Sequence, residues 1–449
     1  MTSAPLRLIS TVLLALSFWV WSIKPLMAMA PIQRLSLPNQ MVVLLSEEHS
    51  LPFVTIQMVI DAGSRQDPRG REGLAFLTAK GLLLGTSKQD VITLNEALDF
   101  IGASLNVSAN KDYASINLRL LKKDLGKGLD LLADTVRQPV FPEDELRKEM
   151  NKILGAIKSS EEDPGELAER AFYKAVFPNS PYSYPEEGTR ESVPKLTRED
   201  VVRFYRSFYL PNNAILSITG DITPEEVKAR ILPHFLKWPE GQIPKSSVGK
   251  ESPRNGEMIR INRDLAQANI IIGGIGVERS NPDYYALTVM NYLLGGGGFG
   301  SRLMEEIRVQ RGLAYSVGSF FDTKKFQGSF QVVLQTKNAS AREAMALVMD
   351  QMERIRKEPV SDEALRRAKS YLIGSFPRRF NTQGKLVNFL SQVEYFGLGL
   401  DYPEKYPVLI QSVSREDVLR VARKYLHPEQ AIQVIVGNLK EAGLAAPDQ

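Results

Sequence analysis

Thr197-Arg-Glu-Asp-Val-Val-Arg-Phe-Tyr-Arg206 leads on to Pro211, Ala214-Ile215 and Gly220, while Ser414-Arg-Glu-Asp-Val-Leu-Arg-Val-Ala-Arg423 leads on to Pro428, Ala431-Ile432 and Gly437. The offset is constant, because Arg198 to Arg415 and Gly220 to Gly437 are each separated by 217 positions. Both copies read as a capped helix, a proline break and a closing strand. Coarser matches extend the repeat. Strand Ile270 to Ile275 answers Val54 to Ile60, and the hairpin Ser316 to Thr336 answers Ser104 to Leu121. Helices Ala339 to Lys357 and Ser361 to Ser375 answer Asp124 to Arg137 and Glu143 to Ser160. A convergent ending could mimic one match but not the whole order. The expectation is an α+β fold of two homologous domains, each an antiparallel-rich mixed sheet packed with helices, arranged as a clamshell.

The domains are placed at residues 31–238 and 257–449, with 239–256, rich in Pro, Gly and charge, as the linker. Working back from the first copy, Gln33 to Leu45 around Pro38-Asn39 reads as a hairpin. A helical stretch from Glu72 to Leu84 follows the Val54 to Ile60 strand. Glu161-Glu162-Asp163 closes a helix before Pro164 and is expected to face solvent.

A chain of 449 residues, 43% apolar and 24% charged, is too long for one core. Its net charge of +4 is small, with no basic run interleaved with aromatics, which argues against nucleic-acid binding. Residues 1–30 read as a signal peptide or, uncleaved, an anchor. Arg7 supplies the positive start, Leu8 to Trp21 is an apolar run too short to span a bilayer, and Ala28-Met29-Ala30 offers a cleavage pattern. Export to the periplasm or cell envelope follows, and any membrane contact is expected only through that segment. The absence of cysteine excludes disulfides, thiolate metal sites and a Cys nucleophile.

The stretch most charged with chemistry is Gly295-Gly-Gly-Gly-Phe-Gly-Ser-Arg-Leu-Met-Glu-Glu-Ile-Arg-Val-Gln-Arg-Gly-Leu-Ala-Tyr315. Gly295, Gly297 and Gly300 satisfy a dinucleotide pattern, but that motif needs a preceding strand. Here the preceding residues, Tyr284 to Leu294, repeat like a helix face at Ala286, Val289, Met290 and Leu293. No Lys follows the last glycine, so this is not a phosphate-binding loop. A short helix carrying Leu303 and Ile307 is expected to stop at Gly312. Across that stop stand Arg308 and Tyr315, a pair suited to holding a peptide carbonyl or developing oxyanion. The plain alternative is a flexible connection with a surface Arg and a core Tyr.

Ser-Arg-Leu, Ile-Arg308 and Gly-Leu-Ala-Tyr315 resemble the C-terminal half-site of the pitrilysin/insulinase metallopeptidase superfamily, nearest the small bacterial members related to mitochondrial processing peptidase. That resemblance implies an inverted zinc motif, His-x-x-Glu-His, in the first domain. The flanks of the motif are here, in Arg71-Glu-Gly-Leu-Ala75 and Gly85-Thr86, but Phe76 and Lys80 hold the two His positions and Ala79 that of Glu. The family's third ligand falls at Ala156. Of the three histidines, His49, His234 and His427, no two are near ligand spacing, and His427 is expected to cap a helix end. The resemblance therefore implies a zinc-free, non-catalytic subunit. It would bind no cofactor and pair with a zinc-bearing paralogue in a heterodimer. It would lend Arg308 and Tyr315 to the partner's site and guide a peptide substrate along Gly295, Gly296, Gly297, Gly298 and Gly300. The rival is a stand-alone peptide-binding or scaffold protein in which Arg308 and Tyr315 are remnants.

Overall fold

The computed structural model describes residues 31–246, 248–252 and 255–445, so residues 1–30, expected from sequence to direct export, lie outside it. Two sheets carry the fold. The first runs in the order β1 (Ile32–Ser36), β2 (Val42–Glu47), β6 (Ala214–Gly220), β3 (Phe53–Ile60), β5 (Ala114–Leu121) and β4 (Ser104–Ala109). The second runs β7 (Met258–Asn262), β11 (Ile432–Gly437), β8 (Gln267–Ile275), β10 (Ser329–Lys337) and β9 (Ala314–Asp322). Without β1 the two orders coincide strand for strand. Even the single parallel pair recurs, β2 with β6 and β7 with β11, the remaining pairs being antiparallel. The duplication inferred from the 217-residue offset is therefore a duplication of topology.

Local signals explain where the elements start. Thr197 accepts from the Asp200 amide and Ser414 from the Asp417 amide. Each Asp carboxylate returns to the cap's backbone, so both copies of the repeat open with a complete capping box. Helix Leu74–Gly81 is shorter than the predicted 72–84. Gly73 precedes it at φ 94, a left-handed conformation that cannot continue a helix, and the amides of Gly73 and Ala75 both donate to the Asp67 carboxyl group.

Glu161 and Asp163 do more than face solvent. Asp163 accepts from Gly165 and Glu166 as the N-cap of helix Pro164–Val176, and Glu161 pairs with Arg190 at 2.5 Å. The spacing near Pro164 marks an ending, but the same acidic residue starts the next helix, because Pro fits a first helical turn.

That helix crosses over. Pro164–Val176, from the first half, packs on β8 and β11 of the second sheet. Its Ala168, Phe172 and Val176 share a core with Ile271, Ile432, Val434 and Val436. In return helix Gln383–Tyr395, from the second half, packs on β3 and β6 of the first sheet. There Ser391 meets Ser217 at 2.9 Å, and Gln383 and Asn388 approach Thr55 and Gln57. Each sheet is thus covered on one face by its own helices and on the other by a helix of its neighbour. Residues 32–445 form one compact unit.

A buried polar cluster fastens this seam. Asp61 ion-pairs with Arg65 and, at 2.8 Å, with Lys325, and accepts from the Tyr395 hydroxyl at 2.7 Å. Asp112 accepts from the Tyr182 hydroxyl at 2.6 Å and from the Lys325 amide at 3.0 Å. Burial raises the Asp61 carboxyl, but Arg65, Lys325 and the tyrosine outweigh it and hold it below the ordinary carboxylate range. The Arg65 side chain is fully buried, so it depends on these carboxylates.

Candidate functional site

The helix Tyr284–Asn291 loosens into a wider turn over Tyr292–Gly296, and a tight turn follows at Gly298–Gly300. The five glycines do different work. A Cβ on Gly295 would lie 2.5 Å from Ser319 Oγ and 2.6 Å from the Ser319 amide. On Gly296 it would meet Asn291 Nδ2 at 2.5 Å, and on Gly297 the Tyr292 carbonyl at 2.6 Å. Gly295 and Gly296 let the turn press on β9, and Gly297 lets it fold back on Tyr292. Gly298 has open space but φ +56, and Gly300 has only Tyr292 Oη at 3.9 Å. Only the last two leave room above the loop.

Beyond the loop, Leu303 and Ile307 are fully buried, and the helical turn Met304–Val309 stops where the sequence placed the stop. Gly312 adopts φ +63, its amide donates to the Arg308 carbonyl, and the Leu313 amide donates to that of Ile307. This closure sets Arg308 beside the start of β9, the sheet edge, where Tyr315 stands 69% exposed.

The Arg308 guanidinium lies 5.3 Å from the Phe299 ring centre and 6.0 Å from that of Tyr315. Its remaining contact is the Met304 sulfur at 4.0 Å, and among the described residues it has no carboxylate. Phe299 is 70% exposed. Arg308 and Tyr315 thus lie close together, with a third member that the sequence does not single out. Phe299 sits inside the glycine run, where its ring reads as loop filler.

The zinc positions lie elsewhere, on Leu74–Gly81, which packs against edge strand β4 and against helix Glu143–Glu162. Lys80 Nζ donates to the Val107 carbonyl of β4 at 3.3 Å and lies 5.3 Å from the Phe76 ring centre. Ala79 is fully buried, and Ala156 is exposed on the second helix. A phenyl ring, two methyl groups and an ammonium supply no lone pair for a dication, and the ammonium repels one. The donor set does not fit zinc. Among the described residues no group of three or more His, Asp or Glu could hold a metal.

His49 is bound between Asp221 at 2.8 Å and Glu47 at 3.2 Å, and His427 Nε2 meets the Lys424 carbonyl at the end of its helix at 3.1 Å.

Comparison with known proteins decides what these remnants are remnants of. Residues 42–190 match the model for the insulinase family, peptidase family M16, and residues 195–372 match that for the peptidase M16 inactive domain. The chain belongs to peptidase family M16. Its two α+β domains match the family's clamshell architecture.

A Streptomyces coelicolor protein named an uncharacterized zinc protease is 28% identical, the alignment covering 91% of this chain and 90% of that protein. A Helicobacter pylori protein named non-peptidase homolog YmxG is 27% identical over 89% of this chain and 92% of its own length. Among solved structures, a peptidase M16 inactive domain from Pseudomonas fluorescens superposes with a TM-score of 0.85 at 28% identity, covering 91% of this chain and 98% of that one. A Helicobacter pylori protease structure superposes at 0.83 with 19% identity, covering 91% of this chain and 100% of that one, a likeness of fold alone. This M16 chain is peptidase-like and has lost the family's metal-binding residues.

Proposed function

We propose that this M16 chain is the zinc-free, non-catalytic subunit of a two-chain metallopeptidase, exported through residues 1–30 and paired with a zinc-bearing paralogue. The observation that carries this reading is the asymmetry between its two half-sites. The metal positions are filled by Phe76, Ala79 and Lys80, while Arg308 stands beside two exposed aromatic rings with no carboxylate partner among the described residues. A guanidinium fork and a phenol on an exposed apolar patch suit docking into another chain's site, where both donate to a substrate carbonyl. The inactive-domain match and the non-peptidase name of a relative support the absence of catalysis by this chain alone.

The test is hydrolysis of an unstructured peptide by this protein alone, by the paralogue alone and by the mixture. Activity confined to the mixture is expected, and Tyr315→Phe should lower kcat by about a hundredfold, as loss of one oxyanion donor does. Full activity of the Tyr315→Phe complex would remove the proposed role. A mixture without activity would place the protein with peptide-binding scaffolds.

A further inference from the structure

At the seam between the halves, where Asp112 and Tyr113 face helix Gln383–Tyr395, a cavity of about 570 Å³ opens. Five cations line it, Arg279, Lys324, Arg378, Arg379 and Lys385, against one carboxylate, Asp112. That carboxylate is committed to Tyr182 and the Lys325 amide, and Lys324 is committed to Asp322 at 2.9 Å. The other four cations make no ion pair among the described residues. Arg378 donates to the Tyr371 hydroxyl, Arg379 stacks over Phe376 and Tyr406, and Lys385 donates to Asn381.

Arg279 is the centre of the arrangement. It is only 9% exposed, its guanidinium lies 3.7 Å from the Tyr284 ring centre, and among the described residues its one side-chain hydrogen bond goes to the Tyr402 hydroxyl at 2.9 Å. A guanidinium so buried is ordinarily matched by a carboxylate, because its charge has lost most of its water. Here two aromatic rings hold the fork in place with most of its donors unused.

A second pocket, about 180 Å³, shares Tyr284 and Thr323 with the first, is walled by Leu287, Phe320, Phe321 and Leu372, and reaches Gly296 of the glycine loop. Loop, apolar pocket and cationic cavity therefore follow one another along the surface.

We infer that the cationic cavity receives a carboxylate of an extended peptide, with a neighbouring apolar side chain in the smaller pocket. The carboxylate belongs to an acidic side chain or to the peptide's C-terminus. This rests on the peptide-binding part of the reading above and adds to it a preference for acidic or free-ended segments. The adjoining apolar pocket, sized for one side chain, favours a peptide over an isolated inorganic anion.

The test uses the full chain alone, without the zinc-bearing partner, and four labelled unstructured peptides read by fluorescence anisotropy. They end in Leu-Glu acid, Leu-Glu amide, Leu-Gln acid and Leu-Gln amide, which separates the side chain from the terminus as the source of charge. At least one carboxylate-bearing peptide is expected to bind about tenfold tighter than Leu-Gln amide, a margin shrinking with added salt. The double variant Arg378→Gln/Arg379→Gln, at exposed positions, should abolish the margin while leaving binding of Leu-Gln amide unchanged. Arg279→Lys keeps the charge but loses the fork, and a folded variant should show a reduced margin. Equal binding of all four peptides, no binding of any, or a margin that survives the double variant would overturn the inference. So would inorganic pyrophosphate that binds more tightly than the acidic peptides. No hydrolysis is measured, so failure here leaves the turnover test of Tyr315 standing, and the reverse also holds.

Discussion

Replacing the glycines of the loop one at a time by alanine separates the role of the fold from that of a ligand. At Gly295 the new methyl would sit 2.6 Å from a backbone nitrogen of β9 and 2.8 Å from Leu303 Cδ1, so strand or helix must shift. Overpacking of this kind costs about 1–3 kcal/mol, and the backbone neighbour puts Gly295→Ala at about 3. At Gly296 the methyl would displace Asn291, whose side chain both donates to the Ser319 carbonyl and accepts from the Ser319 hydroxyl. Losing two ordinary hydrogen bonds gives about 2 kcal/mol. Gly298→Ala meets nothing and should cost about 1 kcal/mol for its left-handed backbone alone. Gly300→Ala, in open space at an ordinary backbone angle, should fall within about 0.5 kcal/mol of the parent or stabilise slightly by restricting the unfolded chain. Urea unfolding with a shared m-value reads these differences as midpoint shifts. A Gly295→Ala protein as stable as the parent, or a Gly300→Ala protein as unstable as Gly295→Ala, would refute the division of the loop. If Gly300→Ala leaves stability alone yet weakens peptide turnover in the complex, close backbone approach by the substrate is the remaining explanation.

Four further outcomes follow from the structure. Burial pushes the Asp67 carboxyl up to about 8, the Gly73 and Ala75 amides offsetting it only in part. The unfolded chain ionises near the ordinary value of about 3.9. The contribution of this group is therefore fully present below about 4 and lost as pH rises towards 8. Asp67→Asn, which keeps an acceptor oxygen, should flatten that slope in urea midpoints taken at both ends of the window, and an unchanged slope would discard the assignment. Asp61→Asn removes a charge that Arg65 and Lys325 share, and because the carboxylate is 23% exposed the loss should be about 2–3 kcal/mol, below a wholly buried pair. The parent should melt in a single calorimetric transition, since the seam joins both sheets, and two separated transitions would contradict that coupling. Thr197→Ala and Ser414→Ala should each cost about 1 kcal/mol, matched across the repeat, and a null result at both would deny the capping boxes any part in stability.

The elements recovered from sequence are those written locally. Capping boxes, proline breaks and alternating strands occupy a few consecutive residues, so the duplication, the three hairpins and the stop at Gly312 are legible in the amino-acid order alone. The substitutions Phe76, Ala79 and Lys80 are read in the same local way, since they stand at the spacing of the resembled family's motif within one helix.

The helix exchange is not legible in that way. An amphipathic stretch such as Pro164–Val176 states that one face must be buried but not which sheet will bury it. Strand β3 conceals the exchange as well, because Thr55 and Gln57 alternate with Val54, Ile56 and Met58 as in a strand wet on one face, yet all five are buried. Partners distant in sequence explain the remaining misses. Lys80 finds a strand carbonyl 27 positions away, and Arg279 finds Tyr402 across 123. No window of periodicity links such residues.

The reciprocal crossing of Pro164–Val176 and Gln383–Tyr395 also bears on how the molecule comes into being. A nascent chain reaches the end of β6 with its first sheet laid out but one face bare, because the covering helix lies more than 160 residues further on. Contacts that distant are slow to form and leave surfaces open meanwhile. The two bare faces differ in kind. The waiting surface of the first sheet presents Thr55, Gln57 and Ser217, whereas its counterpart on the second sheet presents Ile271, Val434 and Val436 and is met by a helix already synthesised. The face that must wait is the more polar one. During synthesis the half-finished protein thus shows water a surface that water tolerates, and the greasy interface is made only when both of its sides exist.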